Sequence, residues 1–218
     1  MSDSEMQITL FERLKPAISS ERLGTYLTAA GFDQERALKI YVWNACVGEA
    51  FHLPIQGVEV ALRNSVNVGL CATFTDQWWT NEDFLRICEK EQKDDLNVAF
   101  RRIQNRKKPL ITGQVVATLS FGFWVAMLRP RYNPRIWSLQ LRSAFPHLPK
   151  DKTRYDLDPA AKRIADLRNR IWHHEPIFRM SLSEEYRAVM VLLSWLSPTK
   201  AEWIRPQCRV PALLRAKP

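Results

Sequence analysis

The stretch IADLRNRIWHHEP, residues 164–176, is the most informative part of this sequence for both fold and function. Asp158–Pro159 precedes it as a helix-start signal, because an aspartate can cap a helix and a proline is tolerated at the first helical position. Pro176 disfavours a helical conformation in the residue before it. The sequence therefore predicts a helix that begins at Asp158–Pro159 and ends near His174–Glu175.

The apolar face of this predicted helix contains an arginine. At about 100° per residue, Arg168 falls in the middle of an arc of small and apolar side chains. A buried guanidinium without a partner is costly, so we expect Arg168 either to pair with an acid or to bind an anion. The arc is formed by Ala160, Ala161, Ile164, Ala165, Leu167, Ile171 and Trp172.

Two histidines close the same helix. Histidine gains and loses protons near neutral pH, and a helix C-terminus favours its protonated form. His173 or His174 is therefore a candidate general acid, and the spacing leaves both open. Arg168 and His173 lie about 140° apart on a straight helix. One helix alone does not direct both side chains at one atom unless its last turn is distorted.

Arg168-Asn169-x-x-x-His173, followed by a second histidine, resembles the Arg-Asn-x-x-x-His signature of the HEPN superfamily. More narrowly it is similar to the bacterial Abi-like (abortive infection) branch. The string EVALRN at residues 59–64 resembles the same branch, so the likeness covers both halves of the chain. One position departs from the family pattern. HEPN domains that are targets of a partner nucleotidyltransferase have a tyrosine two residues after the histidine, and this chain has Glu175 there. The difference argues against that mode of regulation.

The resemblance implies an all-helical, usually dimeric domain and a metal-independent endoribonuclease. It implies that Arg168 stabilises the charge on the scissile phosphate, that His173 transfers a proton and that Asn169 has a supporting polar role. The RNA 2′-hydroxyl would attack the adjacent phosphate and leave a 2′,3′-cyclic phosphate, with DNA inert. The site would form where two copies of the chain meet.

The same resemblance implies a toxin-like protein that cleaves cellular RNA in phage defence and uses no cofactor. RNA and a second copy of the chain are the expected partners, and an antitoxin or regulatory protein is left open. Glu59 and Arg63, four residues apart, are predicted to form an ion pair that orders Arg168 or the substrate phosphate. A purely structural ion pair is the alternative. Asn64 and His174 complete the supporting set.

The bulk composition favours a globular protein, with 46% hydrophobic residues in 218. No apolar run approaches the roughly 20 residues that span a bilayer, and the first residues lack the pattern of a signal peptide. We therefore expect no membrane partner and a cytoplasmic location. The cysteines have no Cys-x-x-Cys spacing and no histidine pair has metal-ligand spacing, so we expect reduced thiols and no metal site. The cysteines are Cys46, Cys71, Cys88 and Cys208.

The net charge of +9 favours a polyanionic partner. The positive charge is clustered, which suits a phosphate backbone. One cluster is Arg101, Arg102, Arg106, Lys107 and Lys108, a second is Arg129, Arg131 and Arg135, and the C-terminal residues add Arg205, Arg209, Arg215 and Lys217.

One all-α domain is the predicted architecture, and the resemblance makes it a HEPN-like helical bundle with additional helices. β-type alternation is missing, and the 7 glycines give hairpin turns little to work with. We expect a flexible lead-in over 1–18, the domain over 19–204 and a loose basic tail over 205–218. Within the domain, the pattern predicts helices over 33–53, 55–74, 82–106 and 113–128, with Pro54 separating the first two.

The main alternative is a helical module that binds RNA or a protein partner without catalysis, with Arg168 as a structural anchor. His173→Ala discriminates the two, since an enzyme would lose activity and keep binding whereas a binder would barely change. A DNA-binding regulator ranks last, because no helix-turn-helix pattern with a short glycine-containing turn is present.

Overall fold

The computed structural model describes residues 9–218, and within that range the chain is helical and contains no strand, which confirms the predicted all-α class. Its α-helices are α1 (Leu10–Ile18), α2 (Ser20–Ala29), α3 (Gln34–Thr73), α4 (Glu82–Ile87), α5 (Lys90–Asn105), α6 (Thr112–Thr118), α7 (Phe121–Ala126), α8 (Ser138–Ala144), α9 (Arg154–Trp172), α10 (Leu182–Leu196), α11 (Pro198–Ile204) and α12 (Val210–Arg215). Short 3-10 turns occupy Trp78–Thr80, Pro130–Tyr132 and Arg205–Gln207, and a π-helical turn occupies Asn133–Trp137.

The 40-residue helix α3 is the axis of the molecule. Asp33 caps it, its Oδ1 accepting the Arg36 backbone N–H at 3.0 Å. Helices from both ends of the chain pack along it, chiefly α2, α8, α10 and α12. Its apolar side chains are consequently buried on more than one side, and they include Ala37, Ile40, Val47, Phe51, Ile55, Val58, Leu62, Val66 and Leu70.

The predicted break at Pro54 is wrong, because α3 continues through it. A proline inside a helix removes one backbone hydrogen bond and costs about 3 kcal/mol. Here Pro54 is buried, and its neighbours Phe51, Ile55 and Val58 are fully buried in the core. Apolar burial of this size, roughly 1.5–3 kcal/mol per large side chain, outweighs the local cost.

The helix that carries Arg168 begins earlier than predicted, at Arg154 rather than at Pro159. Thr153 is the cap, and it forms a reciprocal capping box in which Asp156 Oδ2 accepts the Thr153 backbone N–H at 2.8 Å. Pro159 lies inside the helix. The predicted end of the helix, near His174–Glu175, is closer to the observed end, since α9 ends at Trp172.

Both predicted terminal segments differ from the structure where it describes them. Residues 1–8 of the predicted lead-in lie outside the described range, but residues 10–18 form α1, with Phe11 buried. The tail is not loose. Its helix α12 buries Val210, and Trp43 Nε1 donates to the Leu213 carbonyl at 2.7 Å.

Two predicted long helices are divided in the structure. The charged helix over 82–106 becomes α4 and α5, since Cys88 and Glu89 adopt extended backbone between them. The apolar helix over 113–128 becomes α6 and α7, because Leu119 is extended and Ser120 starts a new cap by accepting the Phe123 backbone N–H at 3.1 Å. Within residues 9–218, no helix has both the length and the apolar character needed to cross a membrane.

Candidate functional site at the end of α9

The C-terminal end of α9 places a histidine in an unusual backbone conformation. The Glu175 N–H donates to the Arg170 carbonyl at 2.8 Å and the His174 N–H donates to the Ile171 carbonyl at 3.0 Å, which is a Schellman motif. His174 occupies the position that usually holds glycine, with φ of 56°. A side chain in this left-handed region costs about 1–2 kcal/mol. The turn therefore holds His174 in a strained backbone conformation.

His174 opens into a groove of about 690 Å³ between the end of α9, the first half of α3 and the first two helices. A second imidazole, that of His52 on α3, lines the same groove. Two carboxylates, Glu49 and Glu175, and the guanidinium of Arg22 also line it. The groove thus gathers both proton-transfer groups and charged groups of either sign.

Two aromatic side chains of the groove wall and one neighbouring arginine form a stack. The His52 and Trp172 rings are stacked, with centroids 5.2 Å apart and planes 24° apart. Arg168 Cζ lies 4.8 Å from the Trp172 ring centroid, within the range of a cation–π contact. Trp172, which the sequence placed in the apolar arc, is 38% exposed. The stack connects Arg168 to the groove, although Arg168 itself does not line it.

Arg168 is half-buried, and among residues 9–218 no acid forms an ion pair with it. Its Nη1 donates to Asn169 Oδ1 at 3.3 Å, while its buried Nε has no hydrogen-bond partner. Of the two expected arrangements for this arginine, pairing with an acid is not observed. The guanidinium retains unused donors for an anion.

The structure brings only part of the predicted set together. Arg168 and Asn169 are in contact, and His174 lies in the groove. His173 and Asn169 are exposed and do not line the groove. His173 caps α9 through its backbone, its N–H donating to the Asn169 carbonyl at 2.9 Å.

The second predicted motif lies elsewhere on α3. Arg63 follows His52 by eleven residues, which places it about 16 Å further along the helix axis. The predicted Glu59–Arg63 ion pair is absent among the described residues, and Arg63 Nε is buried without a hydrogen-bond partner. Such i, i+4 pairs contribute only about 0.2–0.5 kcal/mol, too little to fix two long side chains. Asn64 is exposed.

Two residues of the groove were missed by the sequence reasoning. Asn44 is 8% exposed, and its Oδ1 accepts the backbone N–H groups of Ile177 and Phe178 at 2.9 and 3.0 Å. An asparagine inside an apolar helical run is itself a signal, since its side chain competes with helical hydrogen bonds. His52 carried no comparable signal, because only the fold brings it to Trp172.

Tyr26 lines the groove and has an altered pKa. Burial raises the pKa of the Tyr26 phenol, which therefore stays neutral and can serve only as a hydrogen-bonding group. Within the described range, no three histidine, cysteine, aspartate or glutamate side chains converge in a way that could hold a metal ion.

Comparison with protein-family models, with curated proteins and with solved structures found no significant match. The likeness to the Abi-like branch accordingly rests on the two short motifs at residues 59–64 and 168–173.

Proposed function

We propose that this protein is a metal-independent endoribonuclease whose active site is the groove at the end of α9. The observation that carries the proposal is that two histidines, His52 and His174, line one groove together with Trp172, on which the His52 ring stacks. Cleavage of RNA by its own 2′-hydroxyl needs one group to accept a proton and another to donate one. Two histidines meet that need.

The reaction balances without any further reagent. One neutral imidazole accepts the proton of the 2′-hydroxyl as its oxygen attacks the adjacent phosphorus. The other imidazole, protonated, donates to the departing 5′-oxygen as the P–O5′ bond breaks. The products are a 2′,3′-cyclic phosphate and a 5′-hydroxyl. After the reaction the two imidazoles have exchanged protonation states, and proton exchange with solvent restores the original states.

Arg168 supplies charge to this reaction. Its guanidinium is always protonated and forked, which suits two oxygens of a phosphate. Its stacking on Trp172 and its contact with Asn169 hold it beside the groove. Charge developing on the phosphoryl oxygens is stabilised by such preorganised donors. His52, at the end of the stack, offers a flat face on which an RNA base can stack.

A second copy of the chain is part of the proposal. Asn169 and His173 are exposed at the end of α9 and so are accessible to another protomer. A site shared between protomers would let His173 of one copy act beside Arg168 of the other. In the biological setting that the motif resemblance implies, the enzyme is a toxin-like factor in phage defence, and an antitoxin would act by covering the groove.

Cleavage of a mixed-sequence RNA in EDTA tests the proposal. Wild type is expected to cut RNA, to leave cyclic phosphates and to spare matched DNA. His52→Ala, His174→Ala and Arg168→Ala are each expected to lose activity by about 10²- to 10⁴-fold. The matched control is His147→Ala, because His147 is exposed and does not line the groove.

His173→Ala decides which histidine of the pair works. Full activity in that variant, with loss in His174→Ala, assigns the role to His174. The opposite result assigns it to His173 at a shared site, and mixing the His173→Ala and Arg168→Ala proteins should then restore part of the activity. Wild-type cleavage activity in all three variants, His52→Ala, His173→Ala and His174→Ala, contradicts the proposal.

A non-catalytic RNA-binding module is the second candidate, and the stack of Arg168, Trp172 and His52 favours it, since such stacks bind bases without cutting. Binding of RNA by every variant, with no cleavage by the wild type, would establish this candidate. Trp172→Ala is then expected to weaken binding by about tenfold, since base stacking contributes roughly 1–3 kcal/mol.

A further inference from the structure

The groove at the end of α9 contains a buried asparagine whose amide orientation is fixed by the backbone. Asn44 lines the groove and is 8% exposed. Its Oδ1 accepts two backbone N–H groups, that of Ile177 at 2.9 Å and that of Phe178 at 3.0 Å. A carbonyl oxygen has two lone pairs, so these two donors saturate it. The reverse orientation of the amide is excluded, because Nδ2 would then face two other donors.

The donor half of this amide is unused. Among residues 9–218, no acceptor forms a hydrogen bond with Asn44 Nδ2, and this nitrogen is not one of the fully enclosed polar atoms that lack a partner. Nδ2 therefore retains access to solvent, and the cavity that Asn44 lines is the groove. Asn44 consequently offers a ligand in the groove two N–H donors and no free acceptor.

A tyrosine beside Asn44 also has an unused polar group. Tyr26 lines the groove and is 1% exposed, and its hydroxyl makes no hydrogen bond within the described range, although it is not fully enclosed. Both side chains contact Phe178: its ring centroid lies 5.0 Å from that of Tyr26, and its N–H donates to Asn44. Tyr41, one turn before Asn44 on α3, packs edge-on against Tyr26, with centroids 5.1 Å apart. Asn44 and Tyr26 thus form one polar end of the groove.

We propose that this end of the groove binds the carbonyl oxygen of an RNA base, with Asn44 Nδ2 as the donor and the Tyr26 hydroxyl as the partner of the adjacent ring nitrogen. Uracil, cytosine and guanine carry such an oxygen and adenine does not. Asparagine usually recognises adenine with its Oδ1 and Nδ2 together, and the Oδ1 of Asn44 is already occupied. The site therefore selects against adenine. This base site rests on the proposed function, because RNA is its ligand only if RNA is the substrate of the groove.

The base site lies apart from the two histidines of the groove. Asn44 precedes His52 by eight residues on α3, which is about 12 Å along the helix axis. Gly48 lines the groove between them and has no side chain that could divide it. A base held at Asn44 consequently leaves His52 and His174 free for a phosphate further along the same strand.

Short oligodeoxynucleotides test base recognition without cleavage, because they lack the 2′-hydroxyl that the reaction needs. An oligodeoxyuridine is expected to bind the wild type about tenfold more tightly than an oligodeoxyadenosine of the same length, measured by fluorescence anisotropy. The side-chain amide resonances of Asn44 are expected to shift in the NMR spectrum when the uridine oligomer binds. This second measurement needs no variant.

Asn44→Asp is the decisive variant, since it keeps an acceptor for the N–H groups of Ile177 and Phe178 and loses the donor. Its preference for uridine is expected to disappear. The ratio of the two affinities is the quantity to compare, because an added carboxylate weakens the binding of both oligomers alike. Tyr26→Phe is expected to reduce the preference about threefold. Its matched control is Tyr155→Phe, which should keep the preference because Tyr155 is 70% exposed and does not line the groove.

Equal affinity of the wild type for the two oligomers overturns the base site, and so does a uridine preference that persists in Asn44→Asp. Uridine monophosphate is a further probe. If it shifts the Asn44 resonances and the uridine oligomer does not, the groove binds a free nucleotide and the proposal for an RNA base fails. A preference that depends on Asn44, in a wild type that does not cut RNA, supports the base site and contradicts the ribonuclease function alone.

Discussion

His174 combines backbone strain with a place in the groove. Its φ of 56° favours glycine, and the Schellman hydrogen bonds at this turn are made by backbone atoms alone. His174→Gly is therefore expected to raise the free energy of unfolding by about 1 kcal/mol, since glycine enters this region without a steric cost. The same change is expected to lower RNA cleavage by at least about a hundredfold. Urea unfolding and RNA cleavage measure the two effects.

The control for this position is His174→Ala, which removes the imidazole and keeps the strain. We expect it to lose cleavage to the same degree with no gain in stability. A glycine variant that is both more stable and fully active would mean that the strained histidine serves no reaction in the groove.

Asn44 ties α3 to the segment that follows α9. Asn44→Ala leaves the backbone N–H groups of Ile177 and Phe178 buried without acceptors, and we expect a loss of about 2–4 kcal/mol in the free energy of unfolding. Asn44→Asp keeps an acceptor oxygen and should lose less. Chemical denaturation of both variants measures the difference. Equal losses would show that the acceptor oxygen is not what holds this segment.

At the scale of helices, the close packing of α3 explains where it carries glycine. A Cβ on Gly69 would lie 2.7 Å from Trp137 Cζ3. Trp137 cannot retreat, because it is buried and its Nε1 donates to the Met127 carbonyl at 2.7 Å. Gly69→Ala is therefore expected to destabilise the fold by about 1–3 kcal/mol. Thermal unfolding measures the change.

Gly24 in α2 is the matched comparison, since a Cβ there would meet nothing within 4 Å. Gly24→Ala is expected to stabilise the protein by about 1 kcal/mol through helix propensity alone. If both alanine variants were stabilised, Trp137 would have to be far more mobile than its packing indicates.

The sequence predicts helices better than it predicts where they begin and end. The apolar spacing around Ile164 and Leu167 identified α9, and both residues are buried. Its start was misplaced because Pro159 is a stronger local signal than the capping box of Thr153 and Asp156. The break expected at Pro54 failed for a related reason: tertiary burial outweighed a local rule.

The candidate site was predictable to the extent that it is local. The sequence places Arg168, Asn169 and the two histidines at one helix end, and of these four only His174 lines the groove. His52 was not, since 120 residues of sequence separate it from Trp172, the ring on which it stacks. Whether a charged pair such as Glu59 and Arg63 forms is decided by packing around long side chains, which no spacing rule contains.

At the scale of the whole molecule, the two basic clusters within the chain differ. Arg129 and Arg131 are paired with Glu89, at 3.0 and 2.7 Å, and these contacts lower the pKa of that carboxyl, with Arg131 the larger cause. The five cations near the end of α5 are all exposed, and none forms an ion pair within the described range. They are Arg101, Arg102, Arg106, Lys107 and Lys108.

If the chain binds RNA as proposed, the cluster of exposed, unpaired cations is the one expected to contact it. Replacing the five free cations with glutamine is expected to reduce the slope of log K against log salt by up to about 3.5, since each phosphate contact on a single strand contributes about 0.7. Replacing Arg129 and Arg131 should change the slope little. RNA binding measured between 50 mM and 200 mM salt tests both. A larger effect from the paired arginines would reverse the assignment.

The length of α3 has a consequence for how the protein is made. The helix is about 60 Å long, and residues 34–73 leave the ribosome long before α8, α10, α11 and α12, which later cover it. Until α10 is complete, the side of α3 that packs against it has no partner. We therefore expect nascent chains to expose an apolar face of α3 until the C-terminal helices emerge, and to be prone to aggregation during that time.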